Sequence, residues 1–262
     1  MSSPFHAEVV AVNRISPHFT RVSLGGAAMT DFVPVGYDQW FRLFLPRDGE
    51  DKPGLPDFTD DNGLRTWYNA TPENQRPIIR NYTVRHFDPE ARILDVDFVI
   101  HGDTGPASAW AQQVRIGDVV GIYDQGAMFT PHPDSRWFCF VGDETALPAI
   151  AASLDTLGRD LPDLPCHTFV ELPSAADRQP LRLAAGSTLR WRFRREHEDA
   201  PTLPELVAAA MLPDDPGQVL IAGESSMVRA VRRHFVNDRG FAKNRIEFCG
   251  YWRSDPADTD DD

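Results

Sequence analysis

Cysteine is scarce in this chain of 262 residues. Cys139, Cys166 and Cys249 form an odd, scattered set without the short spacing of a metal site. They exclude a disulfide-built secreted scaffold and read as buried thiols of a reducing compartment. No apolar run approaches the length that spans a bilayer, and Met1-Ser2-Ser3-Pro4 lacks the basic and apolar segments of a secretory leader, so a cytoplasmic location is expected. Positive charge is also short: 26 Lys and Arg against 39 Asp and Glu leave a net −13. A field of that sign argues against nucleic acid or an anionic membrane as partner, and an anionic substrate would need a local basic pocket. There is no internal repeat, and no low-complexity segment before the acidic tail at 255–262, which is expected to be disordered.

What is present fits a globular chain of one large domain or two ordinary ones, 42% apolar and with 22 prolines. The first half carries six candidate strands: Phe5–Ile15, Phe19–Leu24, Trp40–Leu45, Arg80–Phe87, Ile93–Ile100 and Asp118–Tyr123. That pattern predicts a six-stranded antiparallel β-barrel of Greek-key type, closed or nearly so. Pro46 to Pro77, rich in proline and poor in apolar residues, reads as a long surface insertion. The second half alternates strands (137–141, 166–172, 189–193, 218–222, 245–251) with helices (145–157, 202–212, and one to about 237 with Ser225 as its expected N-cap), which predicts an α/β domain with a parallel sheet. The change of character near Thr130-Pro131-His132-Pro133 places the domains at 1–131 and 132–254.

Chemistry concentrates between Arg80 and Trp110. In an extended Arg80-Asn81-Tyr82-Thr83, Arg80 and Tyr82 share a face. A guanidinium fork beside an aromatic ring suits a ligand with a phosphate and a flat heterocycle; the plainer readings are a surface ion pair and a ring in the barrel wall. Leu94, Val96, Phe98 and Ile100 alternate with Asp95 and Asp97 as a half-buried strand. It runs into His101-Gly102-Asp103-Thr104-Gly105, with Pro106 suited to open a short helix. Free N–H groups at that helix start, beside Ala107 and Ser108, would cradle an anion. Trp110 reads as core packing.

Arg-x-Tyr-Thr followed by His-Gly-x-x-Gly-Pro-Ala-Ser-x-Trp-Ala resembles the flavin-binding signature of the siderophore-interacting proteins, FAD-dependent ferric-siderophore reductases related to the ferredoxin reductases. Gly142-Asp143-Glu144-Thr145-Ala146-Leu147-Pro148, Ala222-Gly223-Glu224 and Gly250-Tyr251-Trp252-Arg253 are similar to later signatures of that family in the same order. The resemblance spans about residues 5 to 253.

The resemblance implies a ferredoxin-reductase-like pair of domains, with FAD on the barrel and NADH or NADPH on the α/β domain. It implies electron transfer to Fe(III) held by a siderophore, with release of Fe(II). The flavin carries the chemistry, so no catalytic side chain is named, and no metal ligands are needed because the iron arrives in its chelate. The cofactor set is Arg80, Tyr82, Thr83, Ile100, His101, Gly102, Gly105, Pro106, Ala107, Ser108, Asp143, Glu144, Thr145, Ala146 and Trp252. Asp143 and Glu144 depart from a glycine-rich nucleotide loop and would repel a diphosphate, so ribose or adenine hydroxyls are their expected partners. Trp252 either covers the flavin or anchors the terminus. Glu171, at the end of its strand, favours NADH, while Arg178 would favour NADPH; the two remain open. Arg42 and Arg253 are candidates for the substrate mouth. Where the family reads Gly-Pro, a basic residue and Gly, this chain has Asp124-Gln125-Gly126-Ala127, which lowers the positive charge and leans towards neutral ferric hydroxamates. The alternatives are a general NAD(P)H:flavin or ferredoxin-linked reductase with another acceptor, and a non-enzymatic siderophore-binding module.

Overall fold

The structure is a computed structural model that describes residues 3–56, 61–100, 105–195 and 200–254. The chain divides into two compact units, Met1–Ala127 and Met128–Asp262. The tail at 255–262 lies outside the described residues.

Among the described residues the first unit is one antiparallel sheet of seven strands: β1 (Phe5–Ser16), β2 (Phe19–Gly25), β3 (Trp40–Leu45), β4 (Ile78–Thr83), β5 (His86–Asp88), β6 (Ile93–Val99) and β7 (Val119–Gly126). Their order is β4-β3-β7-β1-β2-β6-β5. The six-strand reading is corrected at Arg80–Phe87, which is two strands at opposite edges of the sheet. The switch falls between neighbours: Val84 N–H donates to Gln39 O beside β3, and Arg85 N–H donates to Asp95 O of β6. The sheet therefore curls until its edges are joined by the chain, barrel-like but not closed by a ladder. Alternation supplies the core: Val9, Val22, Phe41, Leu43, Leu94, Val96, Phe98, Val120 and Ile122 pack inside. On the other face Arg21 grips Asp97 through Nε (2.6 Å) and Nη2 (2.9 Å), across the β2–β6 register that pairs them.

The 46–77 segment is more than a surface insertion. It forms α1 (Asp61–Ala70), and Leu64, Leu55 and Trp67 pack with Phe44, Tyr123 and Ile79 on the outer face of the sheet. Its apolar residues are few in sequence but fall on one side once helical. Gly121 makes the seat: a Cβ there would lie 2.4 Å from Leu55 Cδ2. α2 (Pro106–Gln113) covers the inner core with Ala107, Ser108 and Ala111.

The second unit is a five-stranded parallel sheet: β8 (Trp137–Gly142), β9 (Cys166–Leu172), β10 (Thr188–Phe193), β11 (Gly217–Glu224) and β12 (Ile246–Trp252), in the order β10-β9-β8-β11-β12. Helices α3 (Leu147–Asp160), α4 (Leu203–Ala208) and α5 (Ser225–Arg233) connect them. β8 runs through the middle with all six residues buried, as a strand covered on both faces must be. The strand order reverses between β8 and β11, which creates a switch point at the carboxyl ends of those two strands. Residues 130–132 are tied to this unit: Gln218 Nε2 donates to Thr130 O, and His132 N–H donates to Gln218 Oε1.

Candidate functional site

In the first unit, pairing places Arg80 opposite Leu43 and Tyr82 opposite Phe41, so both lie on the inner face. Arg80 is exposed, and its Nη1 donates to Ile79 O at 2.7 Å. Tyr82 stacks at 4.3 Å on Phe98, which in turn meets Trp110 at 5.5 Å, so an aromatic ladder fixes the ring. Burial pushes the Tyr82 phenol well above its usual range, against the opposing charge of Arg80. Thr83 is buried and pairs with Trp40 on the outer face. Arg42 pairs with Asn81 on that same outer face, its guanidinium 6.0 Å from the Trp40 ring centre. The structure thus brings Arg80 and Tyr82 together and leaves Arg42 on the other side of the sheet. Ile100 packs in the core, with its N–H on His18 O.

Gly105, which has no side chain to cap with, is the N-cap of α2 in extended conformation, and Pro106 opens the helix. Pro106 has no N–H, and the next residues, Ala107 and Ser108, are small and buried. A helix start of this kind favours an anion. His101 and Gly102 lie outside the described residues. Asp124 Oδ1 accepts from Gln39 Nε2 (3.0 Å) and from Gly126 N–H (3.2 Å). Gln39 is itself buried and also holds the 33–35 segment, donating to Val33 O and accepting from Val35 N–H. The acidic departure at Asp124 is therefore wired into a loop brace.

In the second unit the switch point is built around Asp143, at the end of β8. Its Oδ1 accepts from Thr145 N–H (2.8 Å) and the Thr145 hydroxyl (2.5 Å). Its Oδ2 accepts from Glu224 N–H (2.7 Å) and Trp252 Nε1–H (2.9 Å). One carboxylate ties the ends of β8, β11 and β12. Gly223, at φ 131°, leaves room for it: a Cβ would stand 2.6 Å from Asp143 Oδ2. Ala146 is fully buried under Gly142. Trp252 stays 40% exposed, with its carbonyl on the Ser225 hydroxyl, so its indole edge is fixed while part of the ring meets solvent.

The N-cap of α5 is Glu224 rather than Ser225. Its side chain accepts from Ser226 and Met227 N–H, while the Ser225 hydroxyl donates to Trp252 O. Although burial works against it, bonds from Ser226, Met227 and Ser254 hold the Glu224 carboxyl below the usual carboxylate range.

A second network runs along the carboxyl edge towards β10. Glu144 is bonded by Arg194 Nη2; Arg194 Nη1 reaches Glu171 Oε1 (2.8 Å), and Arg192 Nη1 reaches Glu171 Oε2 (2.5 Å). Glu144 Oε2 is buried without a partner among the described residues, and burial raises the Glu144 carboxyl above its usual range against the pull of Arg194. Arg178 lies over the Phe193 ring at 4.7 Å. Arg192 and Arg194 were missed in the sequence; their signal is a period-two pair of cations closing a strand beside one that ends in an acid. Arg253 is exposed beyond β12. Among the described residues no helix is long and apolar enough to cross a membrane, and no three His, Cys, Asp or Glu are grouped to hold a metal ion.

Residues 8–128 match the siderophore-interacting FAD-binding domain, and residues 135–255 match the siderophore-interacting protein domain. The crystal structure of the siderophore-interacting protein SipS from Aeromonas hydrophila is 32% identical, with a TM-score of 0.79 over 96% of this chain and 92% of that one. The NADPH-dependent ferric-chelate reductase of Escherichia coli is 29% identical across 94% of this chain and 91% of that protein. A ferredoxin reductase of carbazole 1,9a-dioxygenase, 17% identical, shares the fold, with a TM-score of 0.68 over 95% of this chain and 70% of its own. The chain belongs to the siderophore-interacting protein family.

Proposed function

We propose that this protein is an FAD-dependent reductase that uses NADH or NADPH to reduce ferric siderophores and release Fe(II) in the cytoplasm. The observation that carries the reading is the presence, in one chain, of a flavin-domain match over 8–128 and a parallel sheet with a switch point between β8 and β11. Residues 1–131 hold FAD, and residues 132–254 take the nicotinamide nucleotide.

The residues present fit a flavin dinucleotide: an exposed guanidinium and a helix start opened by Gly105-Pro106 suit a diphosphate, and an anchored ring supplies an aromatic surface. The chemistry that FAD would supply when bound is hydride acceptance from a nicotinamide and single-electron transfer to ferric iron. Arg80 and the first turn of α2 would hold its phosphates, Tyr82 would offer its ring to the flavin, and Thr83 lines the same strand. Trp252 and Thr145 border the nucleotide end of the switch point, with Asp143 keeping both in place. The iron chelate is substrate, and reduction loosens the chelator's hold on the metal. The net charge of −13 and the carboxylate at Asp124 favour neutral or weakly charged hydroxamate chelates over catecholates.

The test is anaerobic. Purified protein should be yellow and release FAD on denaturation. NADH or NADPH should bleach it, and a ferric hydroxamate should restore the colour while an Fe(II) chromophore forms. A colourless protein that takes up no FAD refutes the reading. Bleaching by reduced ferredoxin and by neither nucleotide moves the donor to a ferredoxin.

A further inference from the structure

The nucleotide preference can be read from how the carboxyl edge of the second sheet spends its charges. Backbone N–H groups where a strand turns into a helix ordinarily receive a dinucleotide diphosphate. Here the Asp143 carboxylate already takes two of them, Thr145 N–H and Glu224 N–H. Discrimination by charge therefore falls to the edge further out, along β9 and β10.

The end of β9 is where an acid accepts both hydroxyls of an unphosphorylated ribose and repels a 2′-phosphate. Glu171 stands there, but each of its oxygens is taken by an arginine, Oε2 by Arg192 and Oε1 by Arg194. Each oxygen keeps a second acceptor site, but the charge that would repel a 2′-phosphate is already paired with two guanidinium groups. Arg194 is differently placed. Nη1 and Nη2 each spend one N–H, on Glu171 and Glu144, and each nitrogen of a guanidinium fork carries a second. Its side chain is 34% exposed, against 17% for Glu171 and 10% for Glu144, so the group this network presents to solvent is a cation. Arg178, seated on Phe193 at the end of β10, adds positive charge without a carboxylate in that contact.

Resting on the reading of this sheet as the nucleotide site, we infer that Arg194 is a specificity-determining residue that recognises the 2′-phosphate of NADPH and makes NADPH the preferred donor over NADH. Glu171 and Glu144 tether the guanidinium at the strand end, and the Glu171 charge offsets part of its pull on a phosphate.

The probes are 2′,5′-ADP and 5′-AMP, which differ only in that phosphate, titrated calorimetrically into the FAD-loaded full chain, alongside kcat/KM for NADPH and NADH. The parent should bind 2′,5′-ADP about 10- to 100-fold more tightly, the range one charge-assisted contact supplies. Arg194→Gln should bring the ratio close to one, and Arg194→Lys should leave part of it. Glu171→Gln should move the ratio the other way, because it removes a competing charge and frees an Nη1 N–H. Added salt should shrink the ratio in the parent. Equal binding of the two probes by the parent overturns the inference, as does a ratio that falls in Glu171→Gln. The Glu171 variant decides the matter even where Arg194→Gln does not fold. Intact probe discrimination in a protein whose flavin neither nucleotide reduces would instead count against the proposed reductase activity alone.

Discussion

Asp143→Asn tests the central joint of the second unit with almost no change in volume. The carboxylate accepts four donors: Thr145 N–H, the Thr145 hydroxyl, Glu224 N–H and Trp252 Nε1–H. An amide keeps one accepting oxygen, so its NH2 must face one of the two pairs. Facing Thr145 is the cheaper choice, because that hydroxyl can rotate and accept. Even so, Thr145 N–H loses its partner. A hydrogen bond to a charged group contributes about 1.5–3 kcal/mol, and the bonds that survive fall to neutral strength, roughly half. The loss is then about 3–4 kcal/mol, a large part of the 5–15 kcal/mol that holds a domain together. For a unit of this size that lowers the melting midpoint by roughly 10 °C. Thermal unfolding by circular dichroism, with Trp252→Phe as the variant that removes a single donor, gives the comparison. Trp252→Phe should cost about a third as much as Asp143→Asn. An Asn variant within about 1 kcal/mol of the parent would show that the four bonds are not cooperating and that the switch point is held by packing alone.

Three further outcomes follow from the geometry. Arg80→Ala should loosen FAD by about 1.5–3 kcal/mol, or roughly 10- to 150-fold in Kd, measured by fluorescence of released flavin; unchanged retention would make Arg80 a surface residue. Gly121→Ala should destabilise the first unit by about 1–3 kcal/mol, because the new methyl meets Leu55 at 2.4 Å, and Leu55→Ala in the same chain should recover most of that loss in urea unfolding. Burial holds the His167 imidazole below its ordinary 6.5, so the unfolded chain takes the proton first as pH falls. Its contribution is present above pH 6.5 and is lost on acidification, by at most about 1.4 kcal/mol per pH unit, so His167→Asn should flatten the stability profile between pH 7 and 5.

Periodicity made most of the fold legible. Leu94, Val96 and Phe98 face inward as their alternation requires, and the 166–172 strand lies at the residues its apolar run marks. The failures have a common cause, since each depends on contacts between distant parts of the chain. Nothing local announces that Val84 and Arg85 turn their N–H groups to opposite edges of a sheet. The 46–77 segment looks polar until helical spacing gathers Leu64 and Trp67 with Phe44, beside Leu55 over Gly121. Ser225 has the right chemistry for a cap, but Glu224 already reaches the N–H groups that a cap would serve.

The candidate site was legible by residue type and less so by role. Arg80 and Tyr82 share a face because β4 is extended; Arg42 lies on the opposite face because it pairs with Asn81 rather than with Arg80. At the Gly-Asp-Glu turn, a count of charges finds two carboxylates where a glycine-rich loop would seat a diphosphate, and predicts repulsion. What decides the turn is the count of donors. Asp143 faces four, all within the second unit, so it behaves as a built-in anion that completes the fold there. Glu144, one residue on, has an arginine on one oxygen and no partner for the other among the described residues. Adjacent acids in one motif therefore do different work: Asp143 closes the strand ends, and Glu144 tethers the guanidinium that meets solvent. A glycine-rich loop would leave both the anion site and that arginine free, so the departure from such a loop is what moves charge recognition out to β9 and β10.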